Sequence, residues 1–131
     1  MKLNKRVTAG GYLWEVQDAE EGDGGEGHFT VYMQFNASKT VDFLNNVASV
    51  GIHVRETERG KGKAREYMAY FLTKVCRGLN GYVYVDADAS AGFWKHAGFA
   101  SNPDAEDATK AHYGYELRAS LADLRLFCKI K

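Results

Sequence analysis

Proline is almost missing from this chain: among 131 residues only Pro103 is one. No low-complexity linker or internal repeat is present either. Cysteine is scarce as well. Cys76 and Cys128 are too few for a disulfide framework and lie at no metal-ligand spacing, so no metal is expected. Net charge is absent, since 17 Lys and Arg offset 17 Asp and Glu, and no global field favours nucleic acid. No uninterrupted apolar stretch could span a bilayer, and the N-terminal residues lack the apolar core of a leader. The expectation is a soluble, cytoplasmic protein with neither a membrane nor a nucleic-acid partner.

What is present is core material. With 45% hydrophobic and 13% aromatic residues, the chain suffices for one domain over 1–131. Its centre is the stretch from Ser49 to Gly81. Ala48, Val50, Ile52 and Val54 alternate with Ser49, Gly51 and His53, as in a strand with one face buried. Gly51 suggests a bulge or a close backbone approach. Further on, Ala64, Tyr67, Met68, Phe71, Leu72, Val75, Cys76 and Leu79 recur at helical spacing, with Arg65, Glu66, Thr73, Lys74 and Arg77 between them. This predicts an amphipathic helix that ends at Asn80-Gly81, with Gly81 as a left-handed cap and Arg77 in the last turn.

Between strand and helix lies Arg59-Gly60-Lys61-Gly62-Lys63-Ala64. The start of a helix offers N–H groups without intrahelical partners and the positive end of its dipole. Gly60 and Gly62 allow close backbone approach, and Arg59, Lys61 and Lys63 add charge, so the turn suits a phosphate; an ordinary solvated basic turn is the plainer alternative. Common nucleotide loops do not fit. A P-loop needs glycine where Thr57 stands and Ser or Thr where Ala64 stands, and a dinucleotide fingerprint needs glycine at Arg65.

Arg59-x-x-Gly62-x-Ala64 resembles the pyrophosphate loop of the GNAT superfamily of acyl-CoA-dependent N-acyltransferases. A second run, Ser90-Ala91-Gly92-Phe93-Trp94-Lys95-His96-Ala97-Gly98-Phe99, follows a strand expected at Tyr82–Ala87 and resembles that family's short helix ending in Phe-Tyr-x-x-x-Gly-Phe. The two motifs, in order, cover about Ala48 to Phe99. The resemblance implies a mixed α/β (α+β) fold: a mostly antiparallel central sheet with one parallel, splayed strand pair, a long helix after the pyrophosphate loop and a short one.

The flanks complete the outline. Tyr12–Val16 and His28–Phe35 read as strands, with a long acidic loop from Glu20 to Glu26 between them. Thr40–Phe43 reads as a short strand and Asn45-Asn46 as a turn. Ser101–Lys110 reads as a polar loop. His112–Arg118, with Tyr113, Tyr115 and Leu117 alternating, reads as a half-buried strand. Ser120 and Asp123 resemble a capping box for a short helix, although Leu124, Leu126, Cys128 and Ile130 also alternate like a strand. Family members place two helices after their first strand; the segment before Ala48 reads as strands instead, which implies a pared-down acceptor side.

By resemblance the reaction is acetyl transfer from acetyl-CoA to a primary amine of a small molecule or peptide. Ile52, His53 and Val54 would border the pantetheine, and Arg59, Gly60, Lys61, Gly62, Lys63 and Ala64 would hold the pyrophosphate. Phe93 and Trp94 complete the expected cofactor side. Trp94 occupies the position that often carries a tyrosine acid, and an indole N–H does not titrate in this range. Ala87, between Asp86 and Asp88, replaces an asparagine common in the family. His53 and Glu56 are candidate bases, and Tyr113 and Tyr115 candidate phenols near the sulfur; each is equally readable as a structural or solvated residue. His96 reads as a surface residue. The acidic loop, with Asp86 and Asp88, suggests a cationic acceptor. A non-catalytic acyl-CoA-binding or protein-interaction module on the same fold is the alternative, and a generic nucleotide-binding domain comes third.

Overall fold

The computed structural model describes residues 1–17, 28–34, 47–53, 62–86, 91–110 and 113–130. The acidic loop, the expected strand at Thr40–Phe43 and the Asn45-Asn46 turn lie outside them.

Seven strands form one sheet in the order β1-β2-β3-β4-β5-β7-β6. β1 (Lys2–Val7), β2 (Gly11–Gln17), β3 (His28–Gln34) and β4 (Val47–His53) make an antiparallel half. β5 (Tyr82–Val85) pairs parallel with β4 at Val47↔Val83 and Ala48↔Tyr84. Parallel neighbours need a crossover, and α1 (Lys63–Lys74) supplies it. α2 (Ala91–His96), β6 (Ala100–Ser101), β7 (Leu117–Ser120) and α3 (Leu121–Phe127) follow, with β7 antiparallel to both β5 and β6. The mixed α+β class and the mostly antiparallel sheet are as expected.

Helix α1 turns Tyr67, Met68, Phe71 and Leu72 inward, as its spacing requires. Phe71 meets Phe29 at 5.5 Å and Trp14 at 6.5 Å between ring centroids, fixing the helix on β2 and β3. Val83 and Val85 of β5, Trp94 of α2, Leu117 and Ala119 of β7, and Leu121 and Leu124 of α3 join the same core. One void in it, bounded by Phe29, Phe71 and Leu124 among others, measures about 10 Å³, barely one water.

Several expectations need correction. α1 ends at Lys74 with Val75 as its cap, not at Asn80-Gly81. The apolar spacing runs on because Cys76 and Leu79 stay packed through a turn in which Gly78 (φ 76°) takes the left-handed conformation. The Arg125 guanidinium donates to the carbonyls of Cys76 (2.6 Å) and Leu79 (2.5 Å), satisfying this chain end. The bulge falls on Ser49 rather than Gly51: Val31 pairs with Val50 and Tyr32 with Ala48, so the strict alternation from Ala48 to Ile52 is broken. Tyr113 and Tyr115 are not in a strand. Gly114 (φ 92°) donates its N–H to the Ala105 carbonyl at 2.9 Å in a turn, and β7 begins only at Leu117. β1 was not anticipated; Lys2, Asn4, Lys5 and Arg6 give it little apolar signal. Ser120 is a true N-cap, its Oγ accepting from the Asp123 N–H at 3.0 Å, and the tail takes the helical of its two readings, as α3.

Candidate functional site

The turn into α1 is the first part of the site. Gly62 is the N-cap, at φ 78° and ψ 15°, and no side chain caps the helix. The ladder begins with Glu66 N–H on the Gly62 carbonyl at 3.0 Å, so the N–H groups of Ala64 and Arg65 precede it. Among the described residues, a Cβ built on Gly62 would meet nothing within 4 Å. Glycine is therefore required here by backbone conformation, and the space beside it is open to a ligand. Those are the two properties that a pyrophosphate cradle needs. Lys63 lies 3.6 Å from the Glu66 carboxylate, an exposed i,i+3 pair that leaves the ammonium close to the turn.

The second motif lies near the first turn of α1. Phe93 meets Phe127 of α3 at 6.2 Å, and the Arg65 guanidinium lies 4.5 Å over the same Phe127 ring. Cys128 Sγ is 3.9 Å from the Arg65 carbonyl. Trp94 is 3% exposed, edge-on to Phe99 at 5.2 Å and to Phe93 at 5.1 Å. It is a core residue, and its indole takes part in packing. His96 is exposed at the end of α2, as expected, with its ring 5.7 Å from Phe127.

The remaining candidates divide. Ile52 and His53 close β4, with their backbones opposite Phe29 and His28. Val54, Glu56, Arg59, Gly60 and Lys61 lie outside the described residues, as do Ala87 and Asp88. Tyr113 is 56% exposed in its turn, a position that suits solvent better than a reacting sulfur. Tyr115 is half-buried, 6.2 Å from Tyr84, so the structure brings one of the two candidate phenols to the sheet and not the other.

Sequence reading passed over Tyr84 and Arg118. The Arg118 guanidinium lies 4.4 Å over the Tyr82 ring, and Arg118 is the ladder partner of Tyr84. Burial pushes the Tyr84 phenol above its usual range, an effect that Arg118 only partly offsets. The alternation Tyr82-Val83-Tyr84-Val85 was the available signal, because it places the two tyrosines on the face opposite the valines.

On the β6–β7 side lies an open cleft of about 510 Å³, lined by Ser101, Asn102, Pro103, Ala105, Glu106 and Glu116. Asn102 holds its floor. Its Nδ2 donates to the Tyr115 carbonyl at 2.8 Å, and its Oδ1 accepts from the Asp104 N–H at 3.1 Å. Among the described residues no group of His, Cys, Asp and Glu could hold a metal ion, and no helix is long and apolar enough to cross a membrane.

No protein-family model matches the chain, and no curated protein does. Among solved structures, it is similar to a chimera of Vibrio cholerae spermidine N-acetyltransferase SpeG and hSSAT, with 16% identity and a TM-score of 0.45 over 83% of this chain. A point mutant of the Vibrio cholerae SpeG gives 15% identity and a TM-score of 0.44 over 86% of this chain. The likeness spans 64% of each neighbour's chain, less than two thirds. At these values neither likeness bears on what this chain acts on.

Proposed function

We propose that the chain is a GNAT-type N-acetyltransferase that moves an acetyl group from acetyl-CoA to a primary amine. The observation that carries this reading is Gly62: a left-handed helix start with no side-chain cap of its own and, among the described residues, open space beside it, inside the Arg59-x-x-Gly62-x-Ala64 motif in the connection that follows β4. Ala64 and Arg65 N–H groups, with Arg59, Lys61 and Lys63, would hold the pyrophosphate. Ile52, His53 and Val54 would border the pantetheine in a splay between β4 and β5. In support of a splay, the β4–β5 ladder has Val47↔Val83 and Ala48↔Tyr84 as its pairs, whereas β4 continues to His53.

Acetyl-CoA supplies the activated acyl group; the chain's own residues position it and move protons. His53, the last residue of β4, or Glu56 would take the proton from the ammonium of the acceptor, directly or through water. Glu106 and Glu116 at the β6–β7 cleft suit a cationic acceptor, small molecule or peptide, through weak and screened attraction. Trp94 has a packing role and gives up no proton.

The test is mass spectrometry of the protein with acetyl-CoA and a panel of amines, polyamines, aminoglycosides, peptides and aminoacyl conjugates. Acetylation of at least one amine is expected. CoA binding without any acetylated product would leave the acyl-CoA-binding module as the better reading.

A further inference from the structure

Tyr84 is 4% exposed, yet it stands outside the hydrophobic cluster that holds its neighbours Val83 and Val85. Alternation along β5 sends it to the other face of the sheet. There its ring meets Tyr82 at 6.3 Å and Tyr115 at 6.2 Å, and Arg118, its ladder partner on β7, holds its guanidinium 4.4 Å over the Tyr82 ring. On the other side its partner is Ala48, in the last pair of the parallel ladder among the described residues. Ser49, the extra residue of the β4 bulge, comes next. A buried tyrosine with a guanidinium on the neighbouring strand therefore sits at the last β4–β5 pair among the described residues.

We infer that Tyr84, with Arg118 as its ladder partner, is the proton donor to the thiolate that leaves during acetyl transfer. The inference rests on the acyl-transfer reading above. An arm anchored near Gly62 and lying along β4 from His53 back to Ser49 follows strand of about 3.3 Å per residue, roughly 13 Å in all, the length scale of an extended pantetheine. Its thioester end then lies at the Ala48–Tyr84 rung. The acceptor nitrogen bonds to the acetyl carbonyl carbon, the carbon–sulfur bond breaks, and its electron pair leaves on sulfur. The Tyr84 O–H protonates that sulfur to give the CoA thiol. The phenolate is stabilised by the Arg118 guanidinium until water returns a proton, while the proton lost by the amine passes to solvent, from which the base at the end of β4 is reached through water.

Among the described residues, the groups facing this phenol include Arg118 from β7, Tyr82 from β5, Tyr115, and Asp104 from the turn after β6. Burial, Asp104 and Tyr82 push the phenol up and Arg118 pulls it down, with a net rise, so it is protonated at neutral pH and available as an acid. The position of Trp94 offers no such proton.

The experiment uses the full chain with CoA, acetyl-CoA and an amine that the parent acetylates. Tyr84→Phe should lower turnover by about 100-fold or more. It should leave CoA affinity by calorimetry and the thermal melt near parental values, and it should lack the alkaline fall in rate that the parent shows when the phenol ionises. A second readout needs no turnover: in protein labelled with carbon-13 at the tyrosine ζ-carbon, the Tyr84 resonance should shift and titrate at a changed pH when CoA is added. This also decides the matter if Tyr84→Phe folds poorly. Turnover in Tyr84→Phe equal to the parent's, or a Tyr84 resonance indifferent to CoA in a protein that binds it, overturns the inference alone. A parent that neither binds CoA nor acetylates any amine overturns the acyl-transfer reading and the inference together.

Discussion

The Arg125 guanidinium reaches from α3 to the carbonyls of Cys76 and Leu79, 2.6 and 2.5 Å away, and so closes the end of the α1 segment. The Cys76 carbonyl also accepts from the Leu79 N–H at 3.0 Å, whereas Arg125 is the partner of the Leu79 carbonyl, and bonds from a charged donor are strong for their class. Arg125→Ala should therefore destabilise the fold by about 1–3 kcal/mol, with the Leu79 carbonyl left without its charged donor and the Cys76 carbonyl left with the Leu79 N–H alone. Arg125→Lys should recover only part, because an ammonium cannot fork between two carbonyls. Urea denaturation measures both. An Arg125→Ala midpoint equal to the parent's would show that water caps this turn equally well.

The two thiols give a pH signature. Burial raises Cys76 from 9.0 to about 12, with Arg125 pulling the other way, and raises Cys128 to about 11. Between pH 9 and about 12 the folded state holds the Cys76 proton that the unfolded chain loses, so this contribution is complete below pH 9 and is lost as pH rises towards 12. Cys76→Ala should make the alkaline fall in stability shallower by about 1.4 kcal/mol per pH unit within that window. Both thiols stay protonated near neutrality, so intact mass after incubation with acetyl-CoA should show no acetyl-cysteine. An adduct on Cys128 would instead point to transfer through the enzyme.

Trp94 is a core residue, and its variants should behave accordingly. Trp94→Phe should cost about 1–3 kcal/mol through lost packing against Phe99 while keeping most turnover per folded molecule. The rate should climb from neutral towards alkaline pH as the ammonium acceptor loses its proton, in parent and variant alike. His53→Gln should depress turnover near neutrality and matter less at high pH. Pre-steady-state acetyl transfer across pH separates these outcomes. A variant folded like the parent but inactive would return Trp94 to the reacting centre.

The unit from β4 through α1 was legible because twelve residues of helix leave a long periodic record and Gly62 marks the start. The far end of α1 was not. Cys76 and Leu79 keep helical spacing within a turn, and the group that closes it, Arg125, is 49 residues from Cys76. Tyr113 and Tyr115 alternate with Leu117 as in a strand, but the left-handed Gly114 and its bond to Ala105 impose a turn, and only tertiary context selects between the two. The Ser49 bulge was displaced from Gly51 for a similar reason, since register is a property of two strands and one strand's sequence does not carry it. Tyr84 was visible as half of an alternating pair, yet its meaning came from Ala48 and Arg118 on its two neighbouring strands.

The central claim is that the start of α1 holds the CoA pyrophosphate, and two glycines allow a controlled test. Gly62 and Gly78 have φ of 78° and 76°, and among the described residues a Cβ on either would meet nothing within 4 Å. Substituting alanine at each imposes the same backbone strain, about 1–2 kcal/mol, at opposite ends of the α1 segment. Only Gly62 would place its new methyl where the pyrophosphate approaches. Calorimetric titration with CoA should show binding by the parent and by Gly78→Ala with similar affinity, and binding by Gly62→Ala weaker by about tenfold or more, with Gly62→Val weaker still. Equal affinities for Gly62→Ala and Gly78→Ala, or no CoA binding by the parent at millimolar cofactor, would contradict the account.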